Sequence, residues 1–158
     1  ERLARLQQTL TTGVTLKRRI TNDLRPALLY DLGLIDALRL LAGEFEKAEE
    51  TALTLNLPEE NLQLSDAVSL TLFRIVQEAF TNIRKYAKAS RVSLTLRENS
   101  TSIELVVEDD GVGFDPQSRK IARHGLAGIK HRVYTLAGKL DIHSAPGAGT
   151  TIRIVLPR

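Results

Sequence analysis

The sequence predicts an α/β (α+β) two-layer sandwich, a mixed β-sheet covered on one face by helices and preceded by an isolated amphipathic helix. Three observations carry that expectation. Strand-type alternation, as in Ile103, Leu105 and Val107, marks short segments. Apolar residues at three- and four-residue spacing mark longer ones, with Leu72, Ile75, Val76, Ala79, Phe80 and Ile83 the clearest stripe. Strands joined mostly by short polar turns pair as hairpins, which leaves the helices to cover one face of the sheet.

Taken in order, residues 1–24 read as a polar helix with Leu3, Leu6, Leu10, Ile20 and Leu24 on one stripe, interrupted by Gly13 and Lys17. So narrow a stripe does not stabilise a lone helix and calls for a partner. Arg25-Pro26 ends it, because the residue before proline is pushed out of helical geometry. A helix is expected over 33–50, with Leu34, Ala37, Leu38, Leu41 and Phe45 inward. Thr51 to Leu57 alternates as a strand, and Pro58-Glu59-Glu60-Asn61 is loop. Ser65 is the expected N-cap of a long helix ending near Ala89. Residues 91–98 and 101–109 form a hairpin around Glu98-Asn99-Ser100. Residues 114–124 are polar and unpatterned, the composition of a mobile lid. A helix at about 125–137 stops at Gly138 as its C-cap, and strands at 139–144 and 150–156 complete the sheet.

Bulk properties narrow the class. The 158 residues, 42% hydrophobic and 26% charged, suit one globular domain with a short appendage. Without cysteine there is neither a disulfide framework nor a thiolate metal site, in keeping with a cytoplasmic setting. No apolar run approaches the roughly 18 residues of a membrane span. A first residue other than Met and an abrupt helical start read as a fragment of a longer protein. The net charge of +3 raises the question of nucleic acid, but aromatic content is only 4%; Lys17, Arg18 and Arg19 read as a solvated helix face, and Arg84, Lys85, Lys88 and Arg91 as a cluster that helps attract a polyphosphate. No direct nucleic-acid binding is expected. His124, His131 and His143 lack the short helical spacing and acidic or thiol company of a metal site. No serine stands in a nucleophile-elbow motif.

The chemistry concentrates elsewhere. Val107-Glu108-Asp109-Asp110-Gly111-Val112-Gly113-Phe114-Asp115 runs an apolar strand into a carboxylate pair and a Gly-x-Gly turn. A buried strand rarely ends in acids unless one has a partner to hydrogen-bond, and the glycines admit a close backbone approach. Alone, such a turn is ordinary hairpin punctuation. Upstream, Glu78, Asn82, Lys85 and Tyr86 follow at i, i+4, i+7 and i+8, so a regular helix puts them on one face. Downstream, Arg123-His124-Gly125-Leu126-Ala127-Gly128-Ile129-Lys130 opens a helix with glycines, where backbone amides and the helix dipole favour phosphate. Ser144-Ala145-Pro146-Gly147-Ala148-Gly149-Thr150 leads into the last strand.

In order and spacing these segments resemble the N, G1, G2 and G3 boxes of the GHKL (Bergerat) nucleotide-binding fold, above all the ATP-binding domain of bacterial sensor histidine kinases. Asn22-Asp23-Leu24-Arg25-Pro26-Ala27-Leu28-Leu29-Tyr30-Asp31-Leu32-Gly33-Leu34 is similar to the signature of the nitrate/nitrite-sensor type, as are Arg74-Ile75-Val76-Gln77-Glu78-Ala79 and Gly125-Leu126-Ala127-Gly128-Ile129. The resemblance implies residues 1–25 as the second helix of a truncated dimerisation and phosphotransfer hairpin, and 26–158 as the catalytic domain. It implies ATP and Mg²⁺, a histidine-bearing helix of the parent, a response regulator with a helix-turn-helix output domain, and a homodimeric parent.

Roles carried over by resemblance are these. Asp109 anchors the adenine amine, with a turn cap as its plain alternative. Gly111 and Gly113 allow the close approach. Thr150 supports the adenine and Asp109, or is simply a β-branched strand residue. Asn82 is an oxygen ligand to Mg²⁺, a role that suits a hard ion retaining waters. Glu78 holds a metal-bound water or acts as a base. Lys85 contacts phosphate. Gly125, Leu126 and Gly128 form the lid hinge and the phosphate-facing helix start, and His124 is either a phosphate contact or a solvated loop residue. Tyr86 stands where the family commonly has histidine, and its role stays open. None of the three histidines sits in a phosphoacceptor context, so the fragment is expected to bind ATP–Mg²⁺ without phosphorylating itself. Two other readings remain, an anti-sigma-type protein serine kinase and a degenerate module that acts by interaction alone.

Overall fold

The computed structural model describes residues 27–49, 51–116 and 125–158. The expected first helix, the Arg25-Pro26 break, most of the 114–124 segment and His124 lie outside the described residues.

Residues 27–32 are helical, and Gly33 at φ +81° turns the chain into α1 (Leu34–Ala48). Asn61 closes that junction: its Oδ1 accepts from the Ile35 amide at 2.7 Å and its Nδ2 donates to the Leu32 carbonyl at 3.0 Å. The five inward residues expected of this helix are all buried, and Phe45 stacks on Phe80 with ring centroids 4.6 Å apart. β1 (Ala52–Asn56) follows. α2 (Asp66–Asn82) starts where expected, with Ser65 Oγ accepting from the Val68 amide at 3.3 Å. Its expected stripe is buried throughout.

The end of this helix differs from expectation. The regular α-helix stops at Asn82 and continues as a π-helical turn, Ile83–Ala87, closed by Lys88 in the left-handed region at φ 50°. Widened i→i+5 turns of this kind change which side chains share a face and often mark functional sites.

β2 (Arg91–Glu98) and β3 (Ser102–Asp109) form the expected hairpin, α3 spans Leu126–Thr135, and β4 (Lys139–Ser144) and β5 (Thr150–Pro157) complete the sheet. The strand order is β1-β2-β3-β5-β4, with β1 parallel to β2 and every other pairing antiparallel. The sheet is therefore mixed. Val92, Leu94 and Leu96, Ile103, Leu105 and Val107, and Ile152, Ile154 and Leu156 alternate onto one face and join the helical residues in a single core. The opposite face carries polar side chains, including Ser93 bonded to Glu108 and the Arg153–Glu104 ion pair. One covered face and one polar face make the two-layer sandwich.

The C-cap of α3 needs one correction. The left-handed residue is Ala137, at φ 53°, rather than Gly138. The Ala137 amide donates to the Tyr134 carbonyl and the Gly138 amide to the Val133 carbonyl, the bonding pattern of a Schellman turn. Gly138 serves packing instead, since a Cβ there would run into the Leu156 side chain and the Val155 carbonyl.

Candidate functional site

A pocket opens where the C-terminal end of β3 meets the start of β5 beneath the end of α2. Its helical wall is Ala79 and Asn82 from α2 with Ile83, Tyr86 and Ala87 from the π turn. Its floor is Val107 and Ile152, and Phe114 and Leu126 close the sides. At about 190 Å³ it is well below the roughly 300 Å³ at which complete small-molecule sites begin, so it is sized for one planar ring system rather than a whole drug-sized ligand.

The polar residues are placed by sheet register. Asp109 pairs with Thr150 and Thr150 with Ser144, so the three stand in one row across β3, β5 and β4. Residues directly opposite in antiparallel strands share a face, and this row lies one repeat beyond the buried Val107–Ile152 pair. Asp109 and Thr150 both line the pocket.

The adjacent acids divide their work. Asp110 faces the protein: Oδ1 accepts from the Ser90 and Arg91 amides, each at 2.8 Å, and Oδ2 from Arg91 Nε at 3.0 Å. Hydrogen bonds from the Arg91 backbone and side chain, then the Ser90 amide, hold its pKa below the ordinary carboxylate value. Asp109 faces the pocket and accepts from the Gly111 amide at 2.9 Å. Burial pushes its pKa up, the Gly111 amide opposes that, and the neighbouring Asp110 charge adds to it. A desolvated carboxylate with spare lone pairs at the polar end of an apolar pocket is suited to a ligand that donates hydrogen bonds.

Close backbone approach explains both glycines of the turn. A Cβ on Gly111 would strike the Ala87 carbonyl, and one on Gly113, whose φ is +59°, would strike the Ala145 carbonyl. Gly113 lines the pocket; Gly111 acts behind it through its amide.

Of the remaining expected residues, Asn82 and Leu126 line the pocket, while Glu78, Lys85, Gly125 and Gly128 stand outside its wall. A side chain at Gly125 would collide with the Glu78 carboxylate, so these two residues adjoin each other just beyond the pocket. The π turn accounts for Lys85. On a regular helix it would share a face with Asn82, but here Asn82 and Tyr86 face the pocket and Lys85 is exposed. The apolar lining from Ala79, Ile83, Ala87, Phe114 and Ile152 is not anticipated by the motifs. The Phe directly after Gly-Val-Gly is the one sequence signal that could have pointed to it.

Asn82 tests the site for a cation. Its Nδ2 is buried with no hydrogen-bond partner among the described residues. Amide oxygen and nitrogen exchange places by a half-turn of the side chain, so this uncommitted group can present oxygen instead. No cluster of three or more His, Cys, Asp or Glu suited to a metal occurs among the described residues. A single neutral amide fits a hard cation held mainly by a ligand's own oxygens and by water.

A family model described as histidine kinase-, DNA gyrase B-, and HSP90-like ATPase matches residues 67–158. The chain belongs to this family. The match takes in α2, the glycine turn and all of β2–β5. Among curated proteins, the signal transduction histidine-protein kinase/phosphatase DegS of Brevibacillus brevis is 39% identical over 154 residues, covering 96% of this chain and 39% of that protein. The sensor histidine kinase ComP of Bacillus subtilis is 35% identical, over 94% of this chain and 20% of its own length. UhpB of Salmonella typhimurium, another histidine-protein kinase/phosphatase, is 37% identical over 89% of this chain and 28% of its own. The chain thus spans well under half the length of these relatives. Among solved structures, the Erythrobacter litoralis EL346 blue-light activated histidine kinase matches 93% of this chain and 49% of its own with a TM-score of 0.73. At 22% identity that is a likeness of fold. The sheet and helices are those of a histidine-kinase ATPase domain, and the relatives are sensor kinases of the type that the sequence motifs resemble.

Proposed function

We propose that this ATPase-family domain binds ATP with Mg²⁺ and is the catalytic module of a two-component sensor histidine kinase. The observation that carries the reading is Asp109, a pocket-facing carboxylate whose one protein partner among the described residues is the Gly111 amide. The adenine ring would fill the apolar pocket with its exocyclic amine donating to Asp109. Thr150 would complete that polar edge. The polyphosphate would leave the pocket past Asn82 toward Glu78 and the Gly125–Gly128 helix start, with exposed Lys85 available only from outside the pocket wall.

Asn82 would hold the cation through its amide oxygen. Mg²⁺, when bound, neutralises phosphate charge and orients the terminal phosphoryl group. The domain's part in the reaction is to bind, orient and exclude water. In transfer, a histidine ring nitrogen of the longer protein bonds to the γ-phosphorus. The bond from that phosphorus to its bridging oxygen breaks, and ADP leaves with the electron pair. A response-regulator aspartate would then receive the phosphoryl group. Glu78 would steady a metal-bound water or accept a proton. In this reading residues 26–158 form the catalytic unit of a cytoplasmic portion, and 1–25 belong to the hairpin of a homodimeric parent. No described helix is long and apolar enough to cross a membrane.

Calorimetric titration with ATP and GTP, each with and without Mg²⁺, tests the reading. Binding selective for ATP and tightened by Mg²⁺ is expected. Equal affinity for ATP and GTP, or no binding, would overturn it.

A further inference from the structure

The Ser144 hydroxyl has one proton and three polar neighbours. Its Oγ lies 2.9 Å from the Gly149 carbonyl oxygen, 2.9 Å from the Phe114 amide nitrogen and 3.1 Å from Thr150 Oγ1. A carbonyl can only accept and an amide N–H can only donate. The serine proton therefore goes to Gly149, and the serine lone pairs receive the Phe114 N–H and the Thr150 O–H. This fixes the direction of the Ser144–Thr150 bond, which distance alone leaves undecided. Thr150 spends its only proton on Ser144 and turns lone pairs toward the pocket it lines.

We infer that Ser144 is a positioning residue that sets the hydrogen-bond polarity of the pocket's sheet wall and so its choice between 6-amino and 6-oxo purines. Asp109, ionised, is an acceptor. Thr150, oriented by Ser144, is an acceptor too. The row across β3 and β5 thereby accepts at both positions and offers no proton to a ring carbonyl. A purine with an amine at this edge has two protons to offer the two acceptors; a 6-oxo purine has only its N1–H, so its carbonyl leaves lone pairs facing one another. Ser144 does not touch the pocket. It acts through Thr150, and it joins three segments to do so: the glycine turn at Phe114, the β4–β5 loop at Gly149 and the strand at Thr150.

The inference rests on the ATP-binding reading, and ATP paired with ITP separates the two. ITP carries a carbonyl where ATP has the amine. Affinities for both nucleotides, with Mg²⁺, would be measured for the unsubstituted protein and for Ser144→Ala, Ser144→Thr and Thr150→Val. Ser144→Ala frees the Thr150 proton to turn into the pocket, and the ATP-over-ITP preference is expected to fall about tenfold, the scale of one buried polar mismatch. Ser144→Thr keeps the hydroxyl and should keep the preference. Thr150→Val should lower it, and adding Ser144→Ala to Thr150→Val should change it no further. If Ser144→Ala weakens ATP and ITP by the same factor, Ser144 merely holds the loop and the inference fails. Should Ser144→Ala not fold, an unchanged preference in Thr150→Val overturns it equally. An unsubstituted protein with no preference for ATP over ITP would instead sink the ATP reading itself.

Discussion

The Val112 amide donates a 2.7 Å hydrogen bond to the Ala87 carbonyl. This bond ties the glycine turn after β3 to the π turn after α2, with Gly111 lodged so close that no side chain fits between them. Gly111→Ala is expected to destabilise the domain by about 1–3 kcal/mol, as overpacking does, and to weaken nucleotide binding with it. Urea denaturation measures the first and titration the second. An unchanged midpoint would mean that the turn has room to move.

Asp109→Asn should separate binding from folding. The amide oxygen can still accept from Gly111, while the burial penalty on the charge disappears. Because burial raises the Asp109 pKa, that penalty is absent below the unfolded-state pKa, grows as pH rises from there, and is complete above the folded-state pKa. The variant is therefore expected to be at least as stable as the parent at neutral pH and to lose its preference for ATP over GTP. Retained preference would remove Asp109 from adenine recognition. In the unsubstituted protein, ATP affinity should fall as acidification protonates Asp109.

Asp110 has the opposite sign. Its pKa is lowered in the fold by Arg91 and Ser90, so its contribution is present above the unfolded carboxylate range, near pH 3.9, and is lost as pH falls through the folded-state value. Asp110→Ala should lower the melting temperature at pH 7 and shrink the difference from the parent in strong acid. Thermal unfolding across pH measures both, and a constant difference would show that the Asp110 charge contributes nothing.

Asn82→Ala is expected to leave the fold intact, since the lost Nδ2 has no partner among the described residues. It should abolish the gain in ATP affinity that Mg²⁺ confers. Titrations with and without the ion decide this, and an undiminished Mg²⁺ effect would remove Asn82 from the metal site.

Ala137→Gly should stabilise the domain. A left-handed alanine costs about 1–2 kcal/mol, against roughly 0.5–1 kcal/mol for the extra freedom of glycine in the unfolded chain, leaving a net gain of about 1 kcal/mol. Chemical denaturation would register it as a higher midpoint.

These positions also mark the limits of sequence reading. The core is legible because α2 keeps its stripe from Leu72 to Ile83 and β3 alternates strictly from Ile103 to Val107, periods that burial on one face imposes. Asp109, Thr150 and the glycine turn are legible because their spacing follows a family pattern. The π turn is not, because nothing in Ile83-Arg84-Lys85-Tyr86-Ala87 departs from helical composition; it accompanies a carbonyl bonded to a turn that arrives from β3. For that reason Lys85 leaves the face that helical spacing gives it, while Tyr86 stays beside Asn82 on the pocket wall. The Gly138 expectation erred because glycine is the usual left-handed residue, while here the tight space against β5 claims the glycine and Ala137 takes the strain. Ser144 carries no local signal at all, since its meaning depends on partners in the glycine turn and the β4–β5 loop.

The strand order has a kinetic consequence. β2 and β3 are joined by a short turn and can pair locally, but β3 meets β5 only after the intervening chain, with α3 and β4, has been gathered in. Asp109 and Thr150 face each other across that late seam. A partly folded chain that held only the hairpin against α2 would therefore contain part of the core but not the Asp109–Thr150 pair. If Asp109 and Thr150 recognise the nucleotide as proposed, it would find its full set of partners only on chains that have closed the seam, and would pull the folding equilibrium toward them by mass action. Ligand-induced slowing of unfolding would thus report on the β3–β5 seam in particular, making the nucleotide a reporter for the last step of assembly.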